Sequence, residues 1–400
     1  MKRGRGRPGT RFVASPRSLH RFSVLEPPNR PPAQTPDAPT YPSPAAPPEM
    51  APLDRPLVGP PASRFPTLRD AWPMAHPFTL NGVFERNGFT PIWTALLVFV
   101  STFLVYQIVG GIAAAVVIVS DLASSGEVPD VGDALEALAE HAGPFLAGNA
   151  LGQWIGFGLL TLLAARWHTR TWRPFLRLRM PDGPGLGLAV LGFAALVLPV
   201  QWLGNLNRSL PQPDWLREFE QTQVELIEKA LLGADLGPLF LLFTVALTPA
   251  LCEELLFRGY FQRQVERKWG AVVSIVLVGL FFGLYHMRLS QVVPLALLGT
   301  YLGYAVWATG SLWTGVLVHL LNNGLAVLVA VYVRDHPTLT MEEIESATVP
   351  WYLALPSLLA VAGLCVLMHR RREVVTGGRP DAAPVADLPS PDPPSVLAPS

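Results

Sequence analysis

Three short segments carry side chains that together could hydrolyse a peptide bond. Thr248-Pro-Ala-Leu-Cys-Glu253-Glu254-Leu-Leu-Phe-Arg258-Gly259 sets two carboxylates side by side after an apolar run. Phe281-Phe282-Gly-Leu-Tyr285-His286 ends a second apolar run on a histidine, and His319-Leu-Leu-Asn322-Asn323 lies inside a third. Residues four apart share a helix face, so Glu254 and Arg258 can neutralise one another. Glu253, turned away by about 100°, lacks that partner and is the carboxylate free to act as a base. His319 and Asn323 present their polar ends together by the same spacing. Phe282 lies one turn before His286 and can hold the imidazole by packing. Low-dielectric surroundings make a carboxylate a better base near neutral pH. Donors fixed on one helix face can meet charge developing on a carbonyl oxygen. Each segment alone has a plainer reading: a structural ion pair with a spare Glu, a boundary histidine, or polar glue between helices.

Whatever positions these residues lies in a membrane. Half of the 400 residues are hydrophobic and only 15% are charged. Apolar runs of membrane-crossing length recur at 91–119, 145–166, 185–204, 238–259, 270–288, 290–309, 311–333 and 350–369. The expected fold is an all-α, polytopic integral membrane bundle of about eight transmembrane helices. Between the third and fourth runs, residues 212–232 space Trp215, Phe219, Val224 and Ile227 among charges, as in an amphipathic helix at the interface. The zero net charge gives no electrostatic case for nucleic acid. Cys252 and Cys365 sit in apolar runs as small buried hydrophobes and form no metal knuckle.

Arg and Lys fall on alternate sides: Arg166 to Arg179, Arg263 to Lys268, and Arg370 to Arg372. The intervening loops carry Asp121 to Asp133, Asp214 to Glu220, and Glu342 to Glu345. Both termini are therefore expected in the cytoplasm, with the protein multi-pass in the cell (inner) membrane. Residues 1–75 and 376–400 are Pro-rich tails expected to be disordered, with Met50 and Met74 as alternative starts. Between them the chain divides into membrane helices one to three with the interfacial helix (76–235), a catalytic membrane core (236–335) and a last helix (336–375). No internal repeat of the kind common in transporters is present.

Geometry links the first two segments. Glu253 is 16 residues before Trp269 and His286 is 16 residues after Gly270. A hairpin turning there brings both to one height, roughly 24 Å along each helix. His319 lies near the cytoplasmic end of its helix, so a polar cavity open to the cytoplasm is expected.

In order and spacing the segments resemble the CPBP family of CAAX prenyl protease type II and bacteriocin-processing enzymes. Its pattern reads here as Glu253-Glu254-x-x-x-Arg258, Phe282-x-x-x-His286 and His319-x-x-x-Asn323. The resemblance covers about residues 238–333. It implies an intramembrane endopeptidase acting on a membrane-associated, prenyl-CAAX-like or otherwise lipidated peptide in the bilayer. It further implies that Glu253 activates water, His286 helps orient it, His319 and Asn323 stabilise the oxyanion, and Arg258 holds Glu254. Glu253, His286 and His319 could alternatively ligate zinc with water in a fourth position. The reading favours no metal, because Asn323 is a poor zinc ligand and no partner behind either histidine is evident. Two other functions stay open: a non-proteolytic scaffold or bacteriocin-immunity protein of the same family, and a transporter using Glu253 as a proton site.

Overall fold

Hydrocarbon offers backbone amides no partner, so runs of this apolarity must form helices that satisfy themselves. A computed structural model describes residues 80–125, 131–233, 236–336 and 338–375, and no strand occurs among them. The tails and the alternative starts Met50 and Met74 lie outside the described residues. Among the described residues, seven helical runs are long and apolar enough to cross a membrane. In chain order they begin with α1 (Pro91–Ser124), α2 (Ala142–His168) and α3 (Gly183–Arg208). The amphipathic α4 (Asp214–Glu228) follows.

The next run, Pro238–Tyr285, has 48 residues and is where a count of seven and an expectation of eight meet. Gly270 interrupts it with φ 82° and ψ 177°, a conformation that glycine adopts without a Cβ clash. The chain folds back there into two arms, α5 (238–269) and α6 (271–285). Phe257 and Phe282 have ring centroids 5.3 Å apart, and Phe261 and Phe281 5.4 Å, so the arms run antiparallel. α7 (Leu289–Thr309), α8 (Leu312–Arg334) and α9 (Trp351–Arg372) complete the bundle.

Small residues let α6 and α7 touch. A Cβ on Gly279 would lie 2.6 Å from the Thr300 nitrogen, and one on Gly283 2.5 Å from the Val292 oxygen. Gly279→Val is therefore expected to lose on the order of 2–3 kcal/mol by overpacking, seen as a lower melting temperature in detergent. α9 is held on the opposite side: Tyr304 donates to the Cys365 carbonyl at 2.6 Å and Ser357 to that of Ala195 at 2.6 Å.

Two sequence readings are corrected. Of the stretch Arg263 to Lys268, expected on the cytoplasmic side, Lys268 is exposed but Arg263 and Glu266 are buried against the protein. Arg263 Nε donates to the Phe175 carbonyl at 2.9 Å, Arg177 pairs with Glu266, and Arg267 reaches Glu85 at 3.0 Å. The loop after α2 supplies the carbonyls and counter-charges that make this burial tolerable. Glu220, counted among the loop acids, is also buried. Its Oε1 accepts from the Leu289 nitrogen at 2.5 Å and its Oε2 from that of Ser290 at 3.3 Å, which ties α4 to the start of α7.

Candidate active site

The segment of α5 that carries the carboxylates, Thr248–Glu254, is bracketed by π-helical turns at Leu242–Leu247 and Leu255–Phe261. Such turns shift the direction of the side chains that follow and are frequent at functional sites. Pro249 adds a second irregularity, since it has no N–H to offer the Val245 carbonyl. That carbonyl instead accepts from Asn323 Nδ2 of α8 at 3.3 Å.

The two adjacent glutamates have different surroundings. Glu254 is fully buried and its Oε1 is held by Arg258 Nη1 at 2.6 Å and by His319 Nδ1 at 3.0 Å. Arg258 is itself fixed: Nη2 donates to the Gly299 carbonyl at 3.0 Å, and its guanidinium lies 4.4 Å from the centre of the Phe282 ring. A Cβ on Gly315 would lie 2.6 Å from Glu254 Oε2, so glycine there makes room for the carboxylate. Glu253 is only 6% exposed, and its Oε2 has no hydrogen-bond partner among the described residues. The field of Glu253 reaches His286, Tyr285 and Tyr106.

The histidines are held from behind. His286 Nδ1 lies 2.7 Å from the Phe282 carbonyl, and His319 Nδ1 faces a carboxylate oxygen. An acceptor at Nδ1 requires a hydrogen there, which leaves Nε2 of each neutral ring with its lone pair. These are the partners that sequence did not disclose: one is a backbone carbonyl, and the other is the Glu already assigned to Arg258. Phe282 touches both rings, at 4.8 Å from His286 and 5.6 Å from His319. Asn322 Nδ2 donates to Asn323 Oδ1 at 3.1 Å and so fixes which way the Asn323 amide faces. With one N–H on Val245, the second N–H of that amide is still available.

The structure thus brings Glu253, Glu254, Arg258, Phe282, His286 and His319 to one level of the bundle, with Asn323 one turn of α8 beyond His319. His319 and Asn323 hold different partners in the resting protein, Glu254 and the Val245 carbonyl, through Nδ1 and one amide N–H. Tyr106 and Tyr285 were missed by the motif reading. Tyr285 adjoins His286, while Tyr106 comes from α1 with only its polarity in an apolar run to mark it.

As a zinc site the arrangement does not fit. Bond lengths of about 2 Å would require the donor atoms to converge closely. Among the described residues, the one group of three with all ligand atoms within 4.8 Å of each other is Asp121, Glu140 and His141, not Glu253, His286 and His319.

Residues 235–325 match the family described as Type II CAAX prenyl endopeptidase Rce1-like. No curated protein and no solved structure matches the chain.

Proposed function

We propose, from the premise that residues 235–325 belong to the type II CAAX prenyl endopeptidase family, that this multi-pass membrane protein is an endopeptidase with Glu253 as its general base. The observation that carries the reading is the division of labour between neighbouring carboxylates. Each has an Oε2 that is buried without a hydrogen-bond partner, but Glu254 is committed through Oε1 to Arg258 and His319, whereas Glu253 forms no ion pair among the described residues. A carboxylate so placed can take a proton from water as the water attacks a scissile carbonyl. Nε2 of His286 accepts a hydrogen bond from the same water and orients it.

Negative charge then develops on the carbonyl oxygen. The open N–H of Asn323 and Nε2–H of His319 supply donors for it. His319 Nδ1 faces Glu254 Oε1, which fixes the ring that supplies the second donor. The proton held by Glu253 passes to the leaving amine, and the peptide bond is cleaved. A substrate anchored in the bilayer, lipidated or carrying an apolar segment, suits a site built within apolar helices. The alternation of basic and acidic loops supports cytoplasmic termini in the cell membrane.

The test is a panel of quenched fluorogenic peptides, farnesylated and plain, incubated with purified protein in detergent with and without chelator. Cleavage that survives the chelator and falls at least tenfold in Asn323→Leu is expected. Cleavage lost in chelator and restored by zinc would replace the base mechanism with a metal one.

A further inference from the structure

α2 lies outside the matched segment, yet it presents polar atoms where an apolar helix has no need of them. Gln153 is 7% exposed and its Oε1 has no hydrogen-bond partner among the described residues. Asn149, one turn earlier on the same face, has an Oδ1 in the same condition. Burying such acceptors without donors costs stability, so their presence asks for a ligand that supplies donors.

Their direction follows from the contacts of their neighbours. A Cβ on Gly152 would lie 3.0 Å from the Tyr106 oxygen, and one on Gly156 2.7 Å from that of Thr102, which places this side of α2 against α1. Trp154 Nε1 donates to Thr248 Oγ1 at 3.2 Å, and a Cβ on Gly158 would lie 3.7 Å from Cys252 Sγ, which places another side against α5. At about 100° per residue, Gln153 and Asn149 point between these two contacts. Glu253 is five residues beyond Thr248 on α5. The pairs Trp154–Thr248 and Gly158–Cys252 run α2 parallel to α5, so the unpartnered acceptors of Gln153 and Asn149 lie roughly 9 and 15 Å along the bundle from the level of Glu253.

We infer that Gln153 and Asn149 are substrate-binding residues, whose side-chain carbonyls accept hydrogen bonds from main-chain N–H groups of an extended peptide, roughly three to five residues along it from the scissile bond. This rests on the protease reading above. An extended strand offers N–H groups at regular intervals and has lost its own partners on entering the bundle, so acceptors one helical turn apart match its chemistry. Side-chain amides do this without adding charge.

The experiment uses the full chain in detergent and a quenched fluorogenic peptide ending in a farnesylated Cys-aliphatic-aliphatic-X sequence. Gln153→Met and Asn149→Leu are each expected to raise KM about five- to tenfold with kcat little changed. Free Gln153→Met protein should melt at the same temperature as wild type or higher, because an unpartnered acceptor has been removed; a merely structural role would lower it. A series of peptides N-methylated at one amide at a time then identifies the partner. At one position N-methylation should weaken wild type and leave Gln153→Met unaffected. Equal N-methyl effects in wild type and variant at every position would overturn the inference. Binding of the same peptide to Glu253→Gln protein, read by thermal shift, separates the two claims. No binding at all sinks the protease reading and this inference with it. Binding that is unchanged by adding Gln153→Met sinks the inference alone.

Discussion

Replacing Arg258 by methionine is expected to destabilise the protein by about 3–5 kcal/mol and to abolish cleavage. The guanidinium is the main counter-charge of a fully buried carboxylate, at 2.6 Å from Glu254 Oε1. Its removal leaves Glu254 charged and poorly compensated, which is the costly way to break a buried pair. Arg258 also joins α5 to α7 through the Gly299 carbonyl, so the arms around the site loosen together. The double variant Glu254→Leu with Arg258→Met sharpens the argument. Apolar replacement of both members of a buried pair is often neutral, so the melting temperature should recover most of the loss. Activity should not recover, because His319 Nδ1 has then lost its carboxylate. Melting curves and initial rates on the same detergent preparations separate the two effects.

The second large effect is at the neighbouring residue and has the opposite profile. Glu253→Gln is expected to lower kcat about 10⁴-fold, equivalent to about 5 kcal/mol in the barrier, while leaving the melting temperature unchanged or raised. Glutamine keeps the shape of the side chain but cannot take the proton from water. The fold loses nothing, because Glu253 Oε2 makes no hydrogen bond in the resting protein. Glu254→Gln should instead lose stability and activity together. A Glu253→Gln protein that unfolds as Arg258→Met does would show that Glu253 is a structural residue.

That contrast was largely legible in the sequence, since a spacing of four selects Glu254 for Arg258 and releases Glu253. The turn at Gly270 was legible for the same kind of reason, because polar residues cluster around a glycine between two apolar runs. What could not be read were partners contributed by the backbone. The Phe282 carbonyl behind His286 and the Val245 carbonyl taken by Asn323 have no signature of their own. Pro249 gave a hint of the second, as a residue unable to bond the carbonyl four before it.

Charge misled where burial was compensated from a distance. Arg263, Glu266 and Glu220 read as water-facing because charges usually are. Their carbonyls, N–H groups and counter-ions come from residues such as Phe175, Arg177, Leu289 and Ser290, between 69 and 89 positions away in the chain. The polar residues of α2 were overlooked for another reason. The motif directs attention to α5, α6 and α8, although Asn149 and Gln153 four apart in an apolar run carry the same sign of function as His319 and Asn323.

The central claim is that Glu253 activates water and does not itself attack the substrate. Single-turnover cleavage of a farnesylated peptide in H₂¹⁸O tests it, with mass analysis of the product and of the protein fragment containing Glu253. The account predicts one ¹⁸O atom in the new carboxyl-terminus of the product and none in the Glu253 side chain. Label in the Glu253 carboxylate, with unlabelled product in the first turnover, would show covalent attack by that residue and contradict it.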